Sequence, residues 1–360
     1  MAASLPSLLE SGRTGFDAFV FSRKTPAVVY DLGRLREDAS ALLALCAKAE
    51  AICCYAVKAN RHPLILREFA AAGFGADVAS AGELDLATAA GLSPLVATAP
   101  GLDARTIGQI DRSRGTVYFD HLSQIEHAVD LGIDLDRHGV RVSMPGDYAA
   151  FGFDPRIELD VLRRRFGYRP RRFHVHNGEN LSCARLRARL EDIGDLLAAF
   201  PATEINMGGG YGVLSNDWNE LTKAFELMAR FGRRRRVGLV FEFGKVAVAR
   251  AGVLVVTILA RKLRGRRQIL VADASSYNLG SFERRVLLKQ FPRGGRRMPT
   301  TIVGPSCYEE DVFALDEMCP ALQAGDRLAF VTFGAYTMSI AASLHGLPAP
   351  AEHFYGSREG

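Results

Sequence analysis

The sequence predicts an α/β protein, a TIM-type (β/α)8 barrel followed by a C-terminal β-sandwich or barrel domain, and three observations predict it. From about residue 51 the chain repeats a unit of short apolar run, polar loop and helical stretch, the pattern of βα units around a parallel sheet. Eight such apolar runs precede the end of the pattern near Ala251. Beyond that point the segments are strand-like, with Gly and Pro between them. A parallel barrel places its chemistry at the C-terminal ends of its strands, so functional residues are sought on that rim.

The candidate barrel strands are Ala51–Val57, Gly75–Ala79, Leu95–Ala99, Thr116–Phe119, Gly139–Met144, Arg172–His176, Glu204–Met207 and Gly238–Phe241. Helical stretches such as Pro63–Ala72, Gly82–Ala90, Leu122–Leu131 and Ala184–Ala199 separate most of them. Val253–Ala260, Gln268–Ala272, Thr301–Val303 and Arg327–Thr332 read as strands of the second domain. The β-branched run Ala27–Tyr30 is a further strand, given to the second domain in preference to the approach to the barrel. The expected domains are therefore residues 30–250 for the barrel, and residues 1–29 with 251–360 for the β-domain.

Among 360 residues, 48% are hydrophobic and 24% charged, ordinary for a globular enzyme with a substantial core. No basic segment leads into an apolar run at the N-terminus, and no stretch approaches the roughly 18 apolar residues of a membrane span, so a cytoplasmic protein without membrane association is expected. The six cysteines are scattered without a CxxC pair, which argues against disulfides and a structural metal. The net charge of +5 and the runs Arg163–Arg165 and Arg233–Arg236 raise nucleic acid as a partner. Nearby Glu158 and Asp160 dilute that field, so these arginines read as solvated faces.

The strand ends carry Lys58; Asp77 and Ser80 with Glu83; His176; Gly208–Gly210; and Glu242. A lysine closing a buried strand is costly unless its pKa falls or a covalent bond consumes the amine, and imine chemistry does the latter. Three consecutive glycines expose backbone N–H groups to an anion such as phosphate, and barrels often bind phosphate after strands seven and eight. Glu242 suits the protonated nitrogen of a pyridine ring. His176 can stack on such a ring, with His174 as the alternative. Alone, each residue has a plainer reading: a snorkelling lysine, a tight turn, an ion pair, a structural histidine.

With Tyr55-Ala56-Val57-Lys58-Ala59-Asn60 first, then Gly75 to Ser80 with Glu83, His176, the glycine triplet, Glu242, Gly304-Pro305-Ser306-Cys307 and Gly334-Ala335-Tyr336, the chain resembles the alanine-racemase-fold decarboxylases of the ornithine and diaminopimelate type. The resemblance covers nearly the whole chain. It implies that Lys58 carries pyridoxal 5'-phosphate as a Schiff base, with Asp77, Glu83, His176 and Glu242 around the cofactor. It implies that Gly208, Gly209, Gly210 and Tyr336 bind its phosphate. It also implies a homodimer with the active site at the interface, where Cys307 reaches in from the partner and donates a proton after carbon dioxide leaves. Asp273 matches a position that meets the substrate's distal amine.

Three departures bear on the substrate. Lys245 stands where the family usually has an arginine, replacing a bidentate phosphate contact with a point charge. Glu179 stands where a serine is usual; a similar Glu-Asn pair occurs in the carboxynorspermidine decarboxylase branch, and Glu179 is expected to turn from the phosphate or meet the substrate. Tyr308 replaces the acid that usually follows the cysteine, leaving Glu309, Glu310 and Asp311 to receive a cation. The expected function is decarboxylation of a basic, polyamine-like or siderophore-precursor amino acid. The alternatives are an amino-acid racemase, a non-catalytic cofactor-binding regulator, and Schiff-base chemistry of another kind.

Overall fold

The structure is a computed structural model of a single chain and describes residues 15–147, 150–178, 181–279, 286–291 and 297–356. Contacts divide the chain into two compact units: Asp38–Ala247 forms one, and the other runs to Glu37 and resumes at Val248.

After β1 (Ala27–Asp31), which belongs to the second unit, the first unit carries β2 (Ile52–Ala56), β3 (Gly75–Val78), β4 (Leu95–Ala97), β5 (Thr116–Phe119), β6 (Gly139–Arg141), β7 (Arg172–His174), β8 (Glu204–Asn206) and β9 (Gly238–Phe243). These eight strands pair in parallel and close, β9 returning to β2 with Glu242 opposite Cys54. The expected barrel is thus observed. β3 and β4 are buried at every residue, which is why their apolar runs lack alternation: helices cover the outside and side chains fill the inside.

The helix Trp218–Arg235 shows how the outer layer is held. Leu221, Ala224, Phe225, Met228, Ala229 and Gly232 recur at three- and four-residue spacing and are all buried. Asp217 caps its first turn by accepting from Asn219 N at 2.9 Å. Phe225 packs on Phe241 and Phe243 of β9, with ring centroids 4.7 and 5.8 Å away, so Phe225→Ala should cost about 3–5 kcal/mol. Arg233–Arg236 are exposed at the C-terminal end, where the helix dipole favours cations. In the other basic run, Arg163 and Arg164 both pair with Asp160, and Arg165 with Glu126.

The second unit is one eight-stranded sheet of β1, β10 (Gly252–Arg264), β11 (Arg267–Ala272), β12 (Val286–Phe291), β13 (Arg297–Val303), β14 (Val312–Pro320), β15 (Arg327–Val331) and β16 (Ala351–Tyr355). β10 organises it. Its first half pairs with β1 and β15, and after an irregularity between Ile258 and Ala260 its second half pairs with β11. β1 lies antiparallel to β10 and parallel to β16 and is buried throughout. Val29, Val253, Val255, Ala329 and Val331 form a core with Phe16 and Val20. Sequence reading missed β12, β14 and β16; β14 alternates poorly because Asp316 takes a left-handed backbone, φ 58°, where its pairing with β13 slips. Among the described residues, no helix is long and apolar enough to cross a membrane, and no group of three or more His, Cys, Asp or Glu could hold a metal ion.

Candidate active site

The first functional residue rises from a turn that its own motif builds. β2 ends at Ala56 and the chain enters a 3-10 turn, Val57–Ala59. Tyr55 stacks on Phe69 with centroids 3.9 Å apart, and its buried hydroxyl donates to Asn60 O at 3.0 Å, closing the turn from below. Asn60 Oδ1 accepts from His62 N, and His62 Nδ1 accepts from Leu64 N, starting the helix Pro63–Ala72. Lys58 is thereby lifted off the strand. Its side chain is 45% exposed, which corrects the expectation of a lysine in a buried strand end.

The buried group is its partner. Lys58 Nζ donates to Asp77 Oδ2 at 2.8 Å, while the Asp77 side chain is 1% exposed. Burial, then the nearby Glu242 carboxylate, raises Asp77 to about 6 against the opposing pull of Lys58. Asp77 Oδ1 has no hydrogen-bond partner. Glu83 lies four residues beyond Ala79, whose N–H it accepts at 2.8 Å, while Ser80 Oγ accepts from Glu83 N. This capping arrangement starts the helix Ala81–Ala90 and gives Glu83 a structural task at the rim.

Glu242, on β9, is buried and doubly held. Its Oε1 accepts from Asn206 Nδ2 at 2.7 Å, and its Oε2 lies 3.4 Å from His174 Nε2. Burial works against its charge, but His174, Lys58 and Asn206 outweigh that and bring the carboxyl down to about 2. Asn206 also accepts from Gly208 N at 2.8 Å, so one side chain fixes both the carboxylate and the start of the glycine loop. Sequence reading missed Asn206; an Asn closing a strand two residues before the glycines was the available signal.

The glycine loop is dictated by space. Gly208 and Gly210 have φ of 59° and 98°, and a Cβ at Gly210 would stand 2.0 Å from Gly178 O. Asn177 Nδ2 donates to Met207 O and Gly209 O, tying the loop after β7 to the loop after β8. Lys245 runs beside Gly212, the site of a would-be Cβ lying 3.7 Å from its Nζ. His176 packs against Gly208 and Gly209. Burial and then the neighbouring His174 lower His176 to about 4, so its ring is neutral near pH 7. His174, the alternative ring, is instead committed to Glu242, and its Nδ1 is buried without a hydrogen bond. Glu179 lies outside the described residues.

The remaining candidates belong to the sheet unit. Asp273 Oδ1 accepts from Thr257 N at 3.0 Å, and burial raises its carboxyl. Tyr336 follows Gly334 with a left-handed backbone, φ 51°. Cys307, Tyr308 and Glu309 are exposed on the loop between β13 and β14. Asp311, expected to be free for a cation, is buried. Its Oδ1 accepts from Ser276 N and Ser276 Oγ, and its Oδ2 from Ser306 N. Only Glu309 and Glu310 of that acidic run are exposed.

The barrel rim thus joins an amine, a buried anion, a neutral imidazole and a loop of close-approach backbone, a set that fits a phosphorylated ring bearing an aldehyde. The family model described as pyridoxal-dependent decarboxylase, C-terminal sheet domain, matches residues 27–334. The chain belongs to the pyridoxal-dependent decarboxylases. It is 26% identical to the diaminopimelate decarboxylase of Zymomonas mobilis, over 91% of this chain and 87% of that one. It is also 26% identical to the L-glutamyl-[BtrI acyl-carrier protein] decarboxylase of Niallia circulans, over 82% of this chain and 81% of that one. The fold matches the crystal structure of a lysine/ornithine decarboxylase complexed with cadaverine from Vibrio vulnificus, with a TM-score of 0.81 at 20% identity over 95% and 97% of the two chains. The protein is a pyridoxal 5'-phosphate-dependent amino-acid decarboxylase of the ornithine, diaminopimelate, lysine and arginine type.

Proposed function

We propose that this decarboxylase acts on a basic or polyamine-like amino acid, or on a larger siderophore-precursor conjugate, in a homodimer whose subunits share their active sites. The observation that carries the cofactor's place is the Lys58, Asp77 and Glu242 constellation on one barrel rim. Lys58 would hold the cofactor covalently. Glu242, anionic and pinned by Asn206, would keep a proton at the ring nitrogen. His176 would cover the ring, and the Gly208–Gly210 amides with Lys245 and Tyr336 would take the phosphate. When bound, the cofactor supplies an electron sink for the pair left on the substrate carbon as carbon dioxide departs. Asp77 would hold the Lys58 ammonium, as it does in the structure, and Cys307 from the partner subunit would return a proton to carbon.

The substrate class is supported by the surroundings of Cys307. Tyr308 and Tyr277 place their rings 5.3 Å apart, and Tyr277 Oη donates to Glu310 Oε2 at 3.3 Å. Aromatic faces beside a carboxylate suit an organic cation. Relatives named for diaminopimelate agree with a distal amine, and one named for an acyl-carrier-bound glutamyl group agrees with a larger conjugate.

A carbon dioxide release screen over ornithine, lysine, diaminopimelate, carboxynorspermidine and citryl-diamino acids tests the reading. Turnover of at least one, with none from apolar or acidic amino acids, is expected; the reverse pattern overturns the substrate class. Mixing inactive Lys58→Ala and Cys307→Ala proteins should restore about a quarter of wild-type activity through heterodimers if sites are shared. No restoration means each subunit works alone.

A further inference from the structure

We propose that His345 is the proton partner of Cys307, delivering to its sulfur the proton that the thiol gives up in each turnover. The proposal rests on the reading of Cys307 as the donor to carbon. Cys307 Sγ lies 3.6 Å from His345 Nε2, within reach of a sulfur hydrogen bond, and both residues are exposed. Thirty-eight positions separate them in sequence. Such a meeting of two exposed side chains is meaningful only if the backbone holds it, and here one short turn holds both loops.

On that turn, Ser276 donates through both its N–H and its hydroxyl to Asp311 Oδ1, at 2.7 and 2.8 Å. Asp311 Oδ2 in turn accepts from Ser306 N, beside the thiol. Two residues further on, Asn278 Oδ1 accepts from Leu344 N at 2.8 Å, and Asn278 O accepts from Ala342 N, fixing the loop of His345. Asp311, Ser276 and Asn278 are all at most 3% exposed, so displacing either loop would strand buried polar groups. Between the two clamps, Tyr277 faces Tyr308, whose ring lies 5.6 Å from His345. His345 itself adopts a left-handed backbone, φ 59° and ψ 17°, a region that histidine and asparagine enter more readily than most side chains.

Carbon dioxide departs and leaves the bonding pair on the substrate side; the Cys307 S–H bond breaks as the new C–H bond forms, leaving a thiolate. The Nε2–H bond of protonated His345 then breaks, its proton restores the thiol, and solvent returns a proton to the imidazole. Nothing is oxidised or reduced.

The test compares His345→Asn, His345→Gln and Cys307→Ser in the holoenzyme with a substrate found by the screen above. Asn suits the left-handed backbone, so His345→Asn keeps the loop while losing the proton group. Expected are a fall in kcat of about 10²-fold with KM within about twofold, and partial recovery with added imidazole. Peptide-mapped labelling of Cys307 by iodoacetamide, a readout independent of turnover, should also slow by roughly fivefold. Wild-type kcat and labelling in both histidine variants, or a loss that imidazole does not relieve, overturns the proposal. Cys307→Ser serves the underlying reading: in heavy water the wild type should place deuterium on one face of the product carbon. If Cys307→Ser keeps wild-type rate and that single configuration, the thiol is not the donor, and that reading fails separately.

Discussion

The barrel rim and the loop cluster of the sheet unit distribute burial in opposite ways. On the rim the charged anchors are buried: Glu242 and Asp77 are at most 5% exposed, His176 and Lys245 are half-buried, and Lys58 is exposed. In the loop cluster the clamps are buried, Asp311 and Asn278, while the reactive groups Cys307, Tyr308 and His345 are exposed. A resident cofactor gains from charges fixed in advance in a low-dielectric site. Groups that meet a transient substrate are better carried on loops with a rigid footing. The rim is therefore suited to permanent occupancy and the loop cluster to exchange, and substitutions in the two should differ in kind.

The largest effect is expected at the rim's one exposed group. Lys58→Ala should remove the visible absorbance band of the lysine-bound cofactor and lower carbon dioxide release by at least about 10³-fold. A variant that keeps the band places the attachment elsewhere. Next, Glu242→Gln removes an anion held by Asn206 and His174, and kcat should fall by about 10²-fold, the usual loss for one pre-aimed electrostatic group. If kcat falls less than about threefold, the rim's buried charge is structural and the contrast with the loops collapses.

What the sequence disclosed follows the same division. The barrel was legible because fully buried parallel strands are apolar runs at regular intervals, and Lys58, His176, Glu242 and the glycines stand at or just beyond strand ends. Asn206 was hidden because an amide's role depends on a two-way bridge across neighbouring strands that no local pattern records. The capping task of Glu83 went unread, although a carboxylate three residues after Ser80 is its local signal. In the sheet unit, His345 was invisible since its meaning lies in proximity to Cys307, a contact set by Ser276 and Asn278 from a third segment. Asp311 looked like an available acid until its folded position showed both oxygens occupied.

A smaller effect separates the regions by pH. His176 is lowered from 6.5 to about 4 by burial, so the folded state binds fewer protons than the unfolded chain between those values. Its stabilising contribution is complete above pH 6.5 and is lost as pH falls through about 4. The full interval corresponds to about 3 kcal/mol, reduced by solvent screening to about 2 kcal/mol for a ring only partly buried. Asp77 acts in the opposite sense: raised from 3.8 to about 6, it favours the fold at low pH and loses that advantage as pH rises through 6. Urea unfolding of wild type and His176→Gln at pH 7 and pH 4.5 should show the wild type losing the larger share on acidification. Equal losses would mean that His176 is solvated and that the rim is less dry than its carboxylates imply.

The smallest effect tests whether Glu83 belongs to the rim's chemistry or only to its scaffold. Its carboxylate accepts from Ala79 N, one of the donors at the start of the helix Ala81–Ala90, so Glu83→Ala should cost about 1 kcal/mol. In a unit of this size that is a fall in thermal midpoint of about 2–4 °C. A capping role acts on the fold irrespective of occupancy, so the fall should be the same in cofactor-free and cofactor-loaded protein. A fall confined to the loaded protein would return Glu83 to the cofactor. It would also show that the rim reaches one turn further along the chain than its buried carboxylates indicate.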